Sequence, residues 1–119
     1  MKLGRKITGG KYLKRRKKKK YERPGQKKIV KLGQEKRKVI KTRGGNKKVF
    51  LFGGKIINVN QGNKTKKTEI KKVIETPSNK FFARQNILTK GTIVETELGK
   101  VRITNRPSQE GVINGVLMG

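Results

Sequence analysis

The clearest indication of the fold class is the segment Thr92-Ile93-Val94-Glu95-Thr96-Glu97-Leu98-Gly99-Lys100-Val101-Arg102-Ile103-Thr104. Before Gly99, the side chains at every second position are Val94, Thr96 and Leu98, with Glu between them. The same period of two continues after Gly99. Successive side chains of a β-strand point to opposite faces of its sheet, so this alternation predicts two strands joined by a turn at Gly99, each with one buried face.

Further β-forming runs flank this hairpin and are separated by Gly, Asn and Pro. They span residues 38–42, 48–52, 55–60, 68–76 and 112–118. In the fourth of these runs Ile70, Val73 and Ile74 also fit the spacing of one helix face, but its Thr, Val and Ile content and its strand-like neighbours favour a strand.

About seven short strands separated by turns predict an all-β fold. We expect a small closed or nearly closed β-barrel and not an open sandwich. A small core with open sheet edges would be only marginally stable and prone to aggregate, whereas a closed barrel has no edges.

The composition excludes most catalytic chemistry. The 119 residues include 34 Lys or Arg, 7 Glu and no Asp, His or Cys, and the net charge is +27. Without Cys and His the chain has no disulfide, no thiolate nucleophile and none of the commonest metal ligands, and the Glu residues are scattered. We therefore expect no enzyme activity, no catalytic residue, no metal site and no cofactor.

A membrane role is also disfavoured. No apolar run approaches the roughly 20 residues needed to cross a bilayer. The opening residues 1–5 lead into more charge instead of an apolar core, so they do not resemble a signal peptide.

The charge is concentrated in the first part of the chain. Residues 1–48 carry 22 basic and 2 acidic side chains, whereas residues 49–119 carry 12 basic and 5 acidic ones. This division predicts a basic RNA-binding extension over residues 1–35 and a β-barrel domain over residues 36–119. The extension buries almost no apolar surface, so we expect it to be intrinsically disordered in solution and to become ordered on RNA.

The extension has the residue types that bind a polyanion. Seven consecutive cations run from Lys14 to Lys20, and each cation that neutralises a phosphate releases condensed counter-ions. Tyr12 and Tyr21 flank this run and are candidates for stacking on unpaired bases. We expect sharp turns at Thr8-Gly9-Gly10 and at Pro24-Gly25. A solubility tail, a nuclear-import signal and a membrane-surface segment explain this charge less well.

The predicted barrel domain contains further basic segments. The Gly-rich runs 44–48 and 53–55 do not match the spacing of a phosphate-binding loop and are interpreted as tight turns. In the first of them, residues 43–48 form a candidate RNA-contacting loop in which Asn46 could read a base edge. Residues 64–67 are interpreted as a second basic loop.

Two other patterns in this domain have less specific interpretations. Glu95 and Glu97 fall on one strand face, and a surface ion pair with Lys100 or Arg102 is favoured over acid–base catalysis or a cation site. Residues 105–111 form a loop that contains Arg106 and ends at Gly111, which is a candidate for a positive φ.

Four ordered motifs resemble a known family, the small-subunit ribosomal protein eight of archaea and eukaryotes (S8e-type). Residues 4–11, Gly-Arg-Lys-Ile-Thr-Gly-Gly-Lys, with the basic sequence up to Pro24, are similar to the family's opening. Residues 42–48 are similar to its Arg-Gly-Gly-Asn element. Residues 76–79 and 86–91 follow in the expected order, and residues 103–114 resemble the ending of the archaeal members.

This resemblance implies an archaeal-type structural protein of the small ribosomal subunit, with a β-barrel body and a basic extension threaded into rRNA. It implies rRNA and neighbouring small-subunit proteins as partners, a cytoplasmic location, no membrane, no small-molecule substrate and no homo-oligomer. A non-ribosomal protein that compacts DNA is the alternative, and a Glu95/Glu97 hydrolase is far less favoured. The predicted RNA-binding residues are Arg5, Lys6, Thr8, Gly9, Gly10, Lys11, Tyr12, Lys14, Arg15, Arg16, Lys17, Lys18, Lys19, Lys20, Tyr21, Arg23, Arg43, Gly44, Gly45, Asn46, Lys47, Lys48, Lys64, Lys66, Lys67 and Arg106.

Overall fold

The computed structural model describes residues 4–119; residues 1–3, the start of the predicted extension and of the segment assessed as a signal peptide, lie outside the described part. The elements in chain order are a 3₁₀ helix (Lys20–Glu22), β1 (Lys31–Leu32), β2 (Lys36–Lys41), β3 (Lys47–Gly54), β4 (Ile56–Gln61), β5 (Lys64–Glu75), α1 (Lys80–Arg84), β6 (Ile93–Thr96), β7 (Gly99–Ile103), α2 (Pro107–Glu110) and β8 (Asn114–Leu117). The prediction of an all-β fold is confirmed.

Five strands form a closed barrel in the order β4-β5-β6-β7-β8. Neighbouring strands are antiparallel except at the closure, where β4 pairs with β8 in parallel, with Asn58 opposite Asn114 and Val59 opposite Gly115. The Asn58 side-chain amide donates to the Asn114 side-chain oxygen at 3.0 Å. Closure removes the unpaired edges that a five-stranded sheet would otherwise expose.

The other three strands form a separate sheet in the order β1-β3-β2. The predicted closed barrel is confirmed, with five of the strands in it, whereas β2 and β3 pair with each other as a long hairpin outside it. The chain passes from this sheet into the barrel at Lys55, between the end of β3 and the start of β4.

One hydrophobic core serves both sheets. Leu51 of β3 packs with barrel residues, and Val30, which lies within the predicted extension, is 1% exposed in the same cluster. The buried members are Val30, Leu51, Ile57, Val59, Ile70, Val73, Leu88, Val94, Val101, Ile103 and Ile113. The alternation predicted for residues 92–98 is confirmed, since Val94 and Thr96 are buried and Leu98 is half-buried.

The extension projects from this body. Residues 4–29 are exposed except for half-buried Glu22. The radius of gyration is 21.3 Å, whereas a compact domain of this length has one of about 13–14 Å. The domain boundary at residue 35 stays a prediction. Residues 30–32 lie before this boundary and contact the folded body.

Several predicted turns lie elsewhere. Gly53 and Gly54 are the buried end of β3 and not a turn; a Cβ on Gly53 would lie 2.6 Å from the Gln34 carbonyl oxygen, so a backbone approach excludes a side chain there. Residues 64–67 belong to β5 and not to a loop, because a two-residue turn at Gly62-Asn63 joins β4 to β5. Gly62 has a φ of 68°, which the first central position of a type II′ turn requires.

Two more turn positions need correction. Residues Glu97 and Leu98 make the turn between β6 and β7, while Gly99 already pairs with Thr96. The turn expected at Pro24-Gly25 lies instead at the 3₁₀ helix Lys20–Glu22.

The two α-helices were not predicted. Helix α1 has five residues and α2 has four, and such lengths give no detectable 3.6-residue periodicity. Each is specified locally: the Asn79 side chain accepts a hydrogen bond from the Phe81 N–H at 3.0 Å, and Pro107 begins α2. Gly111 ends α2 with a φ of 76°, which confirms the predicted positive φ.

Gly115 lies where the barrel closes, and there is no space for a side chain at this position. A Cβ at this position would lie 2.5 Å from Val101 Cγ1 and 2.9 Å from the Arg102 carbonyl oxygen. We expect Gly115→Ala to lower the free energy of unfolding by roughly 1–3 kcal/mol, because the crowding forces strands apart. Urea unfolding followed by circular dichroism measures this.

The matched control for this substitution is Gly25→Ala. No atom lies within 4 Å of the added Cβ and the backbone φ is not in the left-handed region. Its unfolding free energy should stay within about 0.5 kcal/mol of the parent. Equal unfolding midpoints for the two variants would show that β8 is not seated against β7 as described.

Candidate nucleic-acid interface

The extension begins with a small hairpin. Lys6 and Gly10 are joined by a hydrogen bond from the Lys6 N–H to the Gly10 carbonyl (2.9 Å), and the Gly9 N–H donates to the Lys6 carbonyl (2.9 Å). Arg5 bridges to Lys11 across the hairpin, and Gly9 has a φ of 79°. The predicted sharp turn at residues 8–10 is confirmed. The Thr8 hydroxyl and the cations Arg5, Lys6 and Lys11 are exposed to solvent around this tight turn.

The run Lys14–Lys20 is exposed throughout, but one of its cations has an internal partner. The Arg16 guanidinium makes two hydrogen bonds to the Glu22 carboxylate, at 2.6 and 2.9 Å, and the Lys19 N–H donates to the same carboxylate at 3.0 Å. These contacts raise the pKa of Arg16 and lower the pKa of Glu22, the latter mainly through Arg16 and secondarily through Lys19. We call this arrangement the Glu22 clamp.

The two tyrosines that flank this run are accessible. Tyr12 is 52% exposed and Tyr21 is 66% exposed. Lys6 Nζ lies 5.7 Å from the centre of the Tyr12 ring, and Lys19 Nζ lies 5.8 Å from that of Tyr21. Each ring thus combines an available face with a nearby cation, which suits a base and its phosphate.

The root of the extension is held on both sides by backbone hydrogen bonds. Strand β1 pairs with β3 in parallel, and Lys31 bridges to Ile87 on its other side. The Leu88 N–H donates to the Val30 carbonyl at 2.9 Å. Residues 30–32 are therefore a fixed anchor, and everything before them is presented from one place on the body.

The β2–β3 hairpin presents the predicted loop at its tip. The Asn46 carbonyl accepts from the Thr42 N–H at 2.7 Å and from the Thr42 hydroxyl at 3.0 Å. Gly44 and Gly45 have φ values of 88° and 80°, so the interpretation of this run as a tight turn is confirmed. Residues 43–48 are all exposed. Lys47 lies opposite Lys41 in the ladder, and this pairing of like charges is compatible with a polyanion as partner.

The cations of β5 lie on both faces of that strand, and Lys67 lies beside β2 of this hairpin. Lys66 pairs with Val59 and Lys67 with Asn58, so the two side chains take opposite faces of the strand. Lys67 lines a cleft together with Arg37 and Lys55. The predicted residues Lys64, Lys66 and Lys67 are exposed but are spread over the wall of the barrel.

Arg106 immediately precedes α2 and lies at the surface, where its neighbours fix the loop. Asn105 fixes the loop by donating to Glu110 at 2.8 Å and to the Val112 carbonyl at 2.7 Å, and by accepting from the Asn114 N–H at 3.0 Å. Arg37 of β2 donates through Nε to the Gly111 carbonyl at 2.7 Å. The side chain of Arg106 is exposed and hydrogen-bonds neutral Gln109 at 3.4 Å.

Arg106 shares a groove with cations that sequence reasoning missed. This basic groove lies between the root of the extension, α1 with the segment that follows it, and α2; its cations are Lys27, Lys28, Lys90 and Arg106. A neighbouring groove contains Lys28 again, with Lys47 and Lys48. The root of the extension thus connects Arg106 to the β2–β3 hairpin. Spacing along the chain gave no signal for this cluster, because its members come from three distant segments.

Four of the acidic residues form ion pairs with cations: Glu22, Glu35, Glu69 and Glu95. Glu95 lies opposite Lys100, yet its ion pair is with Lys72 of β5 at 3.1 Å, so the predicted type of contact is present with a different partner. Within residues 4–119 no group of three or more potential metal ligands occurs. No helix in the same range combines the length and the apolar character needed to cross a membrane.

Comparison with known proteins places these features in one family. The family model described as ribosomal protein S8e matches residues 1–118. The chain is 50% identical over 115 residues to small ribosomal subunit protein eS8 of Nanoarchaeum equitans (94% of this chain, 90% of the relative). It is 49% identical over 118 residues to small ribosomal subunit protein eS8 of Staphylothermus marinus (96% and 91%) and 45% identical over 116 residues to that of Methanocella arvoryzae (96% and 93%). The chain therefore belongs to the ribosomal protein S8e family.

Proposed function

We propose that this protein is a structural constituent of the small ribosomal subunit that binds rRNA mainly by neutralising phosphates and by fitting rRNA shape. The observation that carries the proposal is the exposed, highly basic extension, anchored at residues 30–32 against β3 and the segment around Ile87, in a chain whose archaeal relatives are named small ribosomal subunit proteins. The family is structural and not enzymatic. Its members reside in the cytoplasmic ribosome.

The mechanism follows from where the charge lies. The extension places its cations outside the barrel, where each can approach a phosphate without desolvating a charge in the core. Binding would lower the repulsion between closely packed rRNA helices, and the extension would lose its remaining freedom as it becomes ordered. The anchor at residues 30–32 would fix where on the barrel that segment starts. Lys and Arg would contact phosphate and sugar, so that specificity comes from rRNA shape.

The predicted sites divide into two groups in this proposal. The extension, including the hairpin at residues 5–11 and the run Lys14–Lys20, supplies most of the charge. The barrel body adds contacts through residues 43–48, through the β5 cations and through Arg106. Neighbouring small-subunit proteins would be the other partners. We further propose that the chain acts as a single copy, with no small-molecule substrate.

Sedimentation tests this function directly. A lysate is run through a sucrose gradient at moderate salt and again after a high-salt wash, and the chain is detected in each fraction. We expect it in the small-subunit peak in stoichiometric amount before and after the wash. Its spread over DNA-containing or free fractions would instead support a protein that compacts nucleic acid outside the ribosome.

Salt dependence tests phosphate neutralisation. If the protein neutralises about ten phosphates, the logarithm of its affinity for small-subunit rRNA should fall with the logarithm of salt at a slope of about −7 to −9. Replacing Lys17 to Lys20 by Gln should make the slope shallower by roughly 3–4, because four phosphate contacts are lost. Filter binding over a salt series measures both.

The control for this series replaces the same four lysines by Arg. Charge is retained, so the slope should match that of the parent. A parental slope shallower than about −3, or a Gln variant with the parental slope, would contradict the mechanism.

The Glu22 clamp is a second test of the extension. The lowered pKa of Glu22 means that the clamp is fully formed above the ordinary pKa of a glutamate and is lost as the pH falls through the lowered value. Carbon-13 NMR titration of the free protein should give Glu22 a pKa below its ordinary value. Arg16→Gln should raise this pKa towards the ordinary value, because the larger of the two stabilising contacts is gone.

Arg15→Gln is the matched control, since Arg15 is the neighbouring cation and the clamp uses Arg16. It should leave the pKa of Glu22 close to that of the parent. A Glu22 pKa that is the same in both variants would show that the clamp does not form in solution. High salt should weaken the effect of Arg16, since both groups are exposed to solvent.

A further inference from the structure

We propose that the basic groove receives one unpaired nucleotide of the bound RNA, with the base between the apolar walls and a phosphate at the cationic rim. This inference rests on the proposed function and names a subsite within it. A nucleotide is a single unit that has a flat aromatic face and an adjacent anion. The groove has apolar walls that suit the base and cations that suit the phosphate.

The walls of the groove are mainly apolar. Its volume is about 470 Å³, which is within the usual range of about 300–1,000 Å³ for small-molecule pockets. Phe82 of α1 is half-buried in the wall, and Ile29 of the extension is 43% exposed beside it. Leu88, at 2% exposure, also lines the groove. An aromatic ring and aliphatic side chains lining one groove suit the face of a base.

The rim is cationic and its charges are available. Lys27, Lys90 and Arg106 are all exposed, and among the described residues none that lines the groove is acidic. None of the four ion pairs found within residues 4–119 involves these three cations. A wholly positive rim around an apolar floor excludes a cationic or purely apolar ligand and favours one that has its own negative charge.

Of the hydroxyl groups that line the groove, those of Ser78 and Thr89 are neighbours. Ser78 and Thr89 both line it, and their oxygens are 3.4 Å apart. Thr89 also contacts the Thr92 hydroxyl at 3.0 Å, whereas Ser78 is exposed. A hydroxyl can donate and accept, so this pair suits the edge of a base or a ribose 2′-hydroxyl.

The groove is preorganised by backbone hydrogen bonds. The Ile87 N–H donates to the Phe82 carbonyl at 3.0 Å, which ties α1 to the segment after it. The Leu88 N–H donates to the Val30 carbonyl at 2.9 Å, which ties that segment to the root of the extension. A wall fixed in this way needs little ordering when a ligand enters.

The position of the groove favours RNA over an acidic peptide. Lys27 and Lys28 of its lining belong to the same extension, in which residues 4–26 are exposed apart from half-buried Glu22 and include eleven cations. An RNA strand that follows the extension towards the barrel therefore reaches the groove at the anchor. RNA is commonly read where bases are unpaired and can leave the stack, so a bulged or looped nucleotide is the expected occupant.

The test uses the full chain and two RNA duplexes of the same sequence, one fully paired and one with a single bulged 2-aminopurine. We expect the parent to bind the bulged duplex roughly 10-fold more tightly than the paired one, as expected for one stacked base. The 2-aminopurine fluorescence should change on binding as its surroundings become apolar. Fluorescence titrations at one fixed salt concentration measure both quantities.

Phe82→Leu is the decisive variant, because Leu keeps an apolar wall but removes the aromatic face. It should lose most of the preference for the bulged duplex and bind the paired duplex like the parent. Phe81→Leu is the matched control: Phe81 is in the same helix, is 66% exposed and does not line the groove. It should retain the preference.

A second variant keeps the test decisive if the first does not fold. The folding of Phe82→Leu is checked by thermal unfolding. If this variant is unfolded, the double variant Lys90→Gln/Arg106→Gln, at two exposed positions, takes its place. That double variant should weaken binding of the bulged duplex more than binding of the paired one. Equal losses for the two duplexes, or a parent with no preference for the bulge, would overturn the inference. Sedimentation with the small subunit would still support the proposed function in that case, so the two failures are distinguishable.

Discussion

The parallel pairing of β4 with β8 is the constraint on which the rest of the structure depends. It joins residues 58 and 114 and turns five strands into a barrel with no open edge. The closure is possible because Gly115 has no side chain, where any Cβ would meet Val101 and the Arg102 backbone. A chain with only 30% hydrophobic residues can enclose a core in this way, since a closed barrel needs apolar side chains on one face of each strand only.

Closure also positions the basic features. The loop that leads into β8 is tied to itself by Asn105, and Arg37 ties its end to the three-stranded sheet. Arg106 is held beside the root of the extension as a result. Val30 at the root of the extension belongs to the core that the two sheets share, so the extension starts from a fixed place on the folded body. Charge is thereby separated from the core and yet presented with defined geometry, which is what a protein that shapes RNA needs.

Short stretches of sequence were sufficient to predict the features that neighbouring residues determine, such as strand periodicity and tight turns. The alternation around Gly99 predicted a hairpin and its buried face, and the β-branched residues of 68–76 correctly outweighed their helical spacing. The Gly-rich run at Gly44-Gly45 was correctly interpreted as a tight turn, and both glycines have positive φ values there. The same reasoning failed at Gly53-Gly54, where a backbone oxygen crowds Gly53 and core side chains crowd Gly54, and no turn is present. Adjacent glycines look alike in sequence in both situations.

Charge distribution, the absence of Cys and His, the strand period and the family motifs are properties of the chain itself, and they were enough to indicate an all-β, RNA-binding, non-enzymatic protein. The separation into a three-stranded sheet and a five-stranded barrel could not be predicted from these properties. The local sequence pattern of a strand does not depend on which other strand it pairs with. The ion pair of Glu95 with Lys72, the Glu22 clamp and the basic groove likewise depend on which distant residues the fold brings together. Contacts of this kind are set by packing and closure, which act across the whole chain, whereas propensity and period act over a few neighbouring residues.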